Sequence, residues 1–359
     1  MKYNDNQKSV YSGKKLTITV FGASHSNEIG VKIKGLKGKT FSESFVQDFL
    51  AKRQAKNFSY STTRIESDKV VYKSGFKNGK VTSNNFIAVI YNQNQKSKDY
   101  SNLYKIPRPS HADFVGYSKY KDGFDYRGGG KFSGRLTAPI CIAGGIAKDL
   151  LEKKGIKINA FVSSIGQVNG KTYNDIDLQN LENLDSNFPV IDQKDKENML
   201  SLIESVKKQG DSVGGKIDCV ITGIPVGLGE YMFDSLEGVI SRLAFSVPAV
   251  KGIEFGTGFK LSESFGSIAN DEFYFENGVV KTKTNNNGGI NGGISNGMPI
   301  MFRVAVKPTP SILKEQNSVN LQTGENVKIK IEGRHDACIV PRAVAVIEAI
   351  ASIAILDLI

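Results

Sequence analysis

The segment LTITVFGASHSNEIGVKIK, residues 16–34, sets the reading of the fold. Leu16, Ile18 and Val20 alternate with Thr17 and Thr19, the period of a half-buried strand, and a second alternation surrounds Val31 and Ile33. Only the loop GASHSNEIG joins them, so two strands follow each other with no helix between. Thr40-Phe41-Ser42-Glu43 reads as a capping box, and Phe41, Phe45, Phe49 and Leu50 share one face, which predicts a helix over 41–53. Further strands are expected near 69–73 and 86–91. A polar, glycine-dense stretch from Asn92 to Ser133 precedes a helix at about 137–153, with Pro139 in its first turn and Gly155 beyond its end. Then come a strand near 156–163, an amphipathic helix in DKENMLSLIESVKKQG stopped at Gly210, and a strand near 216–222. A helix near 234–245 and a strand near 251–256 follow. TNNNGGINGGISNG reads as an ordered loop before the alternating MFRVAVK, and the chain closes with a strand at 326–332 and a terminal helix. Strands and helices mix without strict alternation, which favours α+β over a doubly wound parallel sheet. Residues 1–14 read as a polar tail, and no linker or tandem repeat divides the rest, so one domain is expected.

The chain has 359 residues, 40% of them hydrophobic and 23% charged, as expected of a soluble globular protein. Lys and Arg outnumber Asp and Glu by 47 to 36, a net charge of +11 that favours anionic partners without choosing among nucleic acid, membrane surface and small phosphorylated or carboxylated molecules. The first residues lack the apolar core of a secretory signal. The apolar C-terminus, ACIVPRAVAVIEAIASIAILDLI, is interrupted by Pro341, Arg342 and Glu348 and reads as a buried helix, not a membrane span. Cys141, Cys219 and Cys338 are scattered, which supports neither a disulfide framework nor a zinc site, and a cytoplasmic location is expected.

Chemistry concentrates in three places. The three histidines lie in FGASHSNEIG (His25), RPSHADF (His111) and GRHDACIVPRAV (His335), beside serine, arginine or aspartate, and imidazole is the usual proton donor near neutral pH. In DYRGGGKFSGR, residues 125–135, three glycines permit close backbone approach to a ligand, with Arg127, Lys131 and Arg135 supplying positive charge. A glycine-rich turn between elements explains the same residues, and the spacing fits neither a dinucleotide fingerprint nor a P-loop. KPTPS, Lys307 to Ser311, suits a phosphate-bearing cofactor or a rigid proline loop.

Together FGASHSNEIG, RPSHADF, YRGGGKFSGRLTAP, DSVGG, PAVKGIEFG, GGISNG, KPTPS and GRHDACIVPRAV stand in the order and context of chorismate synthase, which the chain resembles from about residue 12 to its end. Residues 1–11 then form a tail and 12–359 the enzyme domain. The resemblance implies a single-domain β-α-β sandwich, usually assembled as a homotetramer. It implies a shikimate-pathway lyase that converts 5-enolpyruvylshikimate 3-phosphate to chorismate and phosphate by anti-1,4-elimination. Reduced FMN is required without net redox change: it lends an electron as phosphate leaves and recovers it after a substrate proton is removed. NADPH is a candidate source of the flavin's electrons. By motif match, His25 resembles the histidine that protonates the leaving phosphate and His111 the one that protonates reduced flavin. Ser24, Ser133 and Asp336 match positions that help relay the substrate proton. Arg53, Arg108, Arg135 and Arg342 match basic positions around the substrate. Lys131, Phe132, Ser133, Pro248, Ala249, Gly292, Lys307, Pro308, Thr309, Pro310, Ser311 and Arg334 match flavin-contacting positions. His335 has no implied role beyond shaping the loop that presents Arg334 and Asp336.

Two departures stand out. The family usually has GESHG where this chain has Gly22-Ala23-Ser24-His25-Ser26, and an arginine-rich segment where this chain has Lys52-Arg53-Gln54-Ala55-Lys56, with Ser59 at a commonly basic position. Two other classes compete. A flavin-dependent oxidoreductase would use the same cofactor, but the dinucleotide fingerprint is missing. A nucleic-acid-binding protein would explain the charge, but the basic residues are dispersed without an aromatic ladder. No nucleic-acid or membrane partner is expected.

Overall fold

The computed structural model describes residues 8–55, 67–92, 105–331 and 335–359. Strands β1 (Lys8–Ser12), β2 (Thr17–Phe21), β3 (Glu28–Lys34), β4 (Val71–Ser74) and β5 (Phe86–Tyr91) form an antiparallel sheet in the order β1-β2-β3-β5-β4. The alternation in residues 16–34 sets its register, with Ile18 opposite Ile33 and Val20 opposite Val31. A second antiparallel sheet contains β6 (Lys157–Ile165), β7 (Val168–Asn169), β8 (Gly215–Thr222), β9 (Val250–Phe255) and β10 (Ile300–Val306), in the order β9-β10-β8-β6-β7. The helices are α1 (Glu43–Ala51), α2 (Asp113–Tyr120), α3 (Thr137–Glu152), α4 (Gln193–Lys208), α5 (Leu236–Ala244) and α6 (Val340–Leu358). Helix α3 packs on β3, α6 packs on β6 and β8, and the two helices pack on each other, giving a sheet-helix-sheet sandwich.

The sequence of α6 explains its place in that sandwich. Val344, Val346, Ile347, Ile350 and Ile353, with Ala345, Ala349 and Ser352 on the remaining side, point all round the helix and all are buried, as a helix enclosed by other layers requires. No helix of the described residues is long and apolar enough to cross a membrane. A buried ion pair crosses the core: Lys148 Nζ of α3 lies 3.5 Å from Glu348 of α6, and Glu348 accepts the Ala160 amide of β6 at 3.0 Å. Each charge has a partner, which is what makes burial tolerable.

Contacts between α3 and α6 advance together along both helices, so they run parallel. Cys141 Sγ lies 3.9 Å from the Ala345 carbonyl, and one turn on, Gly144 meets Ala349. A Cβ on Gly144 would stand 2.3 Å from Ala349 Cβ and 2.4 Å from Ala349 Cα, so only hydrogen fits. Helix α1 runs the other way along α3: the Ser42 amide reaches Asp149 at 3.3 Å, whereas Phe49 faces Gly145. The C-terminus of α1 therefore meets the N-termini of α3 and α6.

Three expectations are corrected. Residues 8–12 belong to no tail; they form β1, with Val10 opposite Thr19, and their side chains read as polar because four of the five are exposed. Tyr11 and the amides of Lys14, Lys15 and Leu16 all donate to the Asp357 carboxylate, pinning this end to α6. The cap of α1 is Ser42, whose Oγ accepts the Phe45 amide at 3.2 Å, while Thr40 instead bridges to Lys80. The strand expected at 326–332 ends at Ile329, paired with residues 316–319.

The close approach makes Gly144 sensitive to any added side chain. Gly144→Ala should cost about 1–3 kcal/mol by overpacking against backbone. Urea unfolding measures it, and an unchanged midpoint would show that the two helices can separate freely.

Candidate active site

The meeting point of the three helix ends carries the predicted arginines. Arg53, just past α1, donates from Nη1 to Asp68 Oδ2 at 3.0 Å. Arg135, at the entry to α3, donates from Nη1 to the other oxygen of Asp68 and from Nε to Asn92 Oδ1 at 3.1 Å. Arg342, in the first turn of α6, donates from Nε to the Arg53 carbonyl at 3.1 Å and from Nη1 to Asp336 at 2.9 Å. All but Arg342 of these cations are buried. Burial, then the nearby Arg342 charge, lowers the Arg53 guanidinium to about 10 despite Asp68. So much packed positive charge suits an anionic ligand.

The glycine run lies against both histidines. Gly128, Gly129 and Gly130 have φ of 57°, 82° and 54°, a conformation that disfavours side chains. A Cβ on Gly128 would come within 2.5 Å of His25 Cε1 and 2.7 Å of Ser24 Oγ. A Cβ on Gly129 would lie 3.4 Å from both Cε1 and Nε2 of His111. The Gly130 carbonyl accepts the Ser24 amide at 3.0 Å, which joins the His25 loop to the run. His25 and Ser24 are buried. Ser133 caps the turn that enters α3, its Oγ accepting the Arg135 amide at 3.3 Å.

His111 sits in a tight ionic group. Asp113 takes His111 Nδ1 at 2.6 Å and two side-chain hydrogen bonds from Arg108, at 2.7 and 2.9 Å. Arg108 also donates to Ser311 Oγ at 3.0 Å, which brings in the KPTPS loop. Lys307 Nζ of that loop donates to the Ser110 carbonyl at 2.8 Å, and Thr309 Oγ1 to the Asp336 carbonyl at 3.0 Å. Burial lowers the His111 pKa, with Arg108 and Lys307 acting the same way against Asp113. Burial would raise the Asp113 carboxyl, but hydrogen bonds from Arg108 and His111 hold it well below the usual carboxylate range.

Most of the candidate set therefore converges. Ala249 joins through its carbonyl, which accepts the Lys307 amide at 2.9 Å, with Pro248 beside it and Pro308 and Pro310 stiffening the same loop. Lys131 stands 3.1 Å over the Tyr120 ring, and Phe132 lies 6.2 Å from that ring, forming a half-buried cationic and aromatic ledge. Gly292 is not joined to this group among the described residues: it turns a short ribbon whose bonds run to Gly229 and Leu236. Arg334, Lys56 and Ser59 lie outside the described residues, and His335 is half-buried. The concavity walled by Lys52, Leu184, Pro189, Pro341 and Glu348 is a different place and holds no histidine.

Sequence reasoning missed Asp68, Asn92, Asp113 and Tyr120. Asp113 lay inside the quoted RPSHADF, two residues from His111, and its adjacency was the available signal. Asn92 donates to the Ser26 carbonyl at 2.7 Å as well as accepting Arg135, so it ties the His25 loop to α3. Among the described non-glycine residues at positive φ, Asp68, Ser110 and Ala249 all belong to this group, and such strain gathers at functional sites.

Comparison with known proteins bears on the whole chain. A family model described as chorismate synthase matches residues 16–359. Chorismate synthase of Dehalococcoides mccartyi is 43% identical over 348 residues, covering 96% of this chain and 95% of the relative. Chorismate synthase of Methanobrevibacter smithii is 44% identical over 347 residues, covering 96% and 94%. A crystal structure of chorismate synthase superposes with a TM-score of 0.71 at 27% identity, covering 97% of this chain and 92% of that one.

Gly128→Ala should place a methyl against His25 and cost about 1–3 kcal/mol in backbone strain, whereas Gly134→Ala, with open space and ordinary φ, should stay within about 0.5 kcal/mol. Urea unfolding and the His25 ring signals in NMR measure the pair. Equal behaviour of the two variants would mean that the run does not define the His25 pocket.

Proposed function

The chain belongs to the chorismate synthase family, and from that premise we propose how its residues carry out the family's reaction. The enzyme is a carbon-oxygen lyase that eliminates phosphate from 5-enolpyruvylshikimate 3-phosphate to give chorismate, a step of aromatic amino-acid biosynthesis. The observation that carries the assignment of roles is the glycine run bordered by His25 on one side and His111 on the other, beside the arginine cluster.

Arg53, Arg135 and Arg342 bind the substrate's phosphate and carboxylates, exchanging part of their pairing with Asp68 and Asp336 for the ligand. Arg108 supports them beside His111. His25 protonates the departing phosphate oxygen, whose charge grows in the transition state. Ser24 and Ser133, which flank the glycine run, move the substrate proton together with Asp336, which is paired with Arg342.

The residues present suit reduced FMN. Gly128–Gly130 form a cradle that side chains would fill, Lys131, Lys307 and the amides and hydroxyls of Thr309 and Ser311 suit its phosphate, and Phe132 and Ala249 offer apolar contact. Pro248, Pro308 and Pro310 shape the walls, and Arg334 and Gly292 complete the proposed set. When bound, reduced FMN supplies an electron transiently, with no net oxidation. His111 holds a proton beside it. NADPH as the ultimate reductant and a cytoplasmic setting belong to the same proposal.

Assembly as a homotetramer is also proposed. Phe233, Phe259, Phe265, Ile268, Phe273 and Phe275 are exposed, more large apolar surface than a monomer usually presents, and a second copy of the chain would cover it.

An anaerobic assay with the phosphorylated substrate and dithionite-reduced FMN tests the proposal. Chorismate should form over many turnovers without stoichiometric flavin oxidation, which a flavin oxidoreductase would show. Oxidised FMN should bind and support no turnover; full-rate reaction in air without reductant would overturn the cofactor assignment. His25→Ala should lower kcat at least about tenfold while FMN still binds. A parental rate across pH 6 to 8 would remove His25 from the leaving-group role.

A further inference from the structure

His111 has two ring nitrogens, and the reaction requires only one of them to face the reacting partners. Nδ1 lies 2.6 Å from Asp113 Oδ1. Asp113 is 2% exposed and, as a carboxylate, has no proton to give, so the hydrogen in this contact resides on the ring. The same carboxylate is immobilised by the Arg108 amide at 3.1 Å, Arg108 Nε at 2.7 Å and Arg108 Nη2 at 2.9 Å, so it cannot swing away from the imidazole. At the opposite side of the ring, Nε2 is the nitrogen that lies within 3.4 Å of where a Gly129 Cβ would stand.

We propose that Asp113 is the positioning residue of His111: it keeps a proton on Nδ1, so that Nε2, facing the glycine run, is the atom that gains and gives the exchangeable proton. The proton balance is simple. Nε2 takes a proton to make the imidazolium, gives it to the partner across the glycine run, and Nδ1–H stays throughout. Among the described residues, the charged groups facing the ring are Asp113, which favours the imidazolium, and Arg108 and Lys307, which oppose it. Arg108 Nη2 stands 3.0 Å from Nδ1 and 3.2 Å from Nε2, so among the described residues the ring without Asp113 would meet only positive charge. This rests on the role proposed above for His111, and the readout below does not need flavin or substrate.

Long-range ¹H–¹⁵N NMR on the flavin-free protein separates the two imidazole tautomers, and with only three histidines the His111 signals can be assigned through a His111→Gln variant. The unmutated protein should show His111 protonated at Nδ1 when neutral; the Nε2–H form there would overturn the proposal without any appeal to a variant's folding. Asp113→Asn should populate the Nε2–H tautomer and lower the His111 pKa, because the charge that favoured protonation is gone. The alkaline limb of the kcat profile should then move to lower pH, with turnover falling roughly tenfold or more above neutrality. Ser311→Ala loosens Arg108 without touching the Asp113 contact and should leave the tautomer unchanged. An Asp113→Asn protein whose His111 keeps its tautomer and titration would overturn the proposal. A changed tautomer with an unmoved kcat profile would uphold the positioning and remove His111 from the proton transfer.

Discussion

The close approach of Gly144 to Ala349 is the constraint on which the rest depends. It lets α3 and α6 run parallel inside one sandwich, and parallel packing puts both N-termini at the same end. Each N-terminus carries partial positive charge from its unpaired amides, which favours anions. Helix α1 arrives antiparallel, so its C-terminal carbonyls face that same end, and Arg342 of α6 donates to the Arg53 carbonyl just beyond it. The core geometry and the ligand chemistry are thus a single arrangement: moving the helices apart to fit a larger residue at 144 would move Arg135 relative to Arg342.

Gathering arginines at buried positions is costly without ligand, and the structure offsets the cost with shared carboxylates. Asp68 serves Arg53 and Arg135 at once, Asp336 serves Arg342, and Asp113 serves Arg108. Among the described residues, three carboxylates against four guanidiniums leave a positive remainder, before Lys131 and Lys307 are added. The lowering of Arg53 to about 10 expresses the same imbalance, since burial and Arg342 outweigh Asp68. A pocket of this kind is held together when empty and still prefers an anion. Asp68 reaches both arginines from a left-handed backbone at φ 45°, so part of the cost is stored as strain in the main chain.

How much of this was legible depends on how local each signal is. The alternation at 16–34 and the glycines at 128–130 act through near neighbours, and the structure follows them. Strand β1 left no apolar pattern because its side chains are exposed and its ladder to β2 is made by backbone, which sequence does not display. Asp68 and Asn92 act on Arg135 across 67 and 43 residues, distances over which no spacing rule operates. Asp113 was within reach, because an aspartate two residues beyond a histidine in a tight turn can meet its ring. The motif around Gly292 folds locally into a short ribbon that bonds to Gly229 and Leu236, a pairing the glycine pattern alone did not display.

The departure at Ala23 follows from the same local physics. Ala23 is 4% exposed, so a carboxylate there would need a partner in a crowded turn. This chain holds the turn with neutral groups instead. Ser26 Oγ accepts the Ala23 amide at 2.9 Å and donates within the loop, and Asn92 donates to the Ser26 carbonyl at 2.7 Å. A hydroxyl and an amide thus hold the turn that carries His25, at the place where the family usually has a carboxylate. Because Asn92 also accepts Arg135 Nε, the amide that holds the His25 turn is the one that orients Arg135, and displacement of either is felt by both.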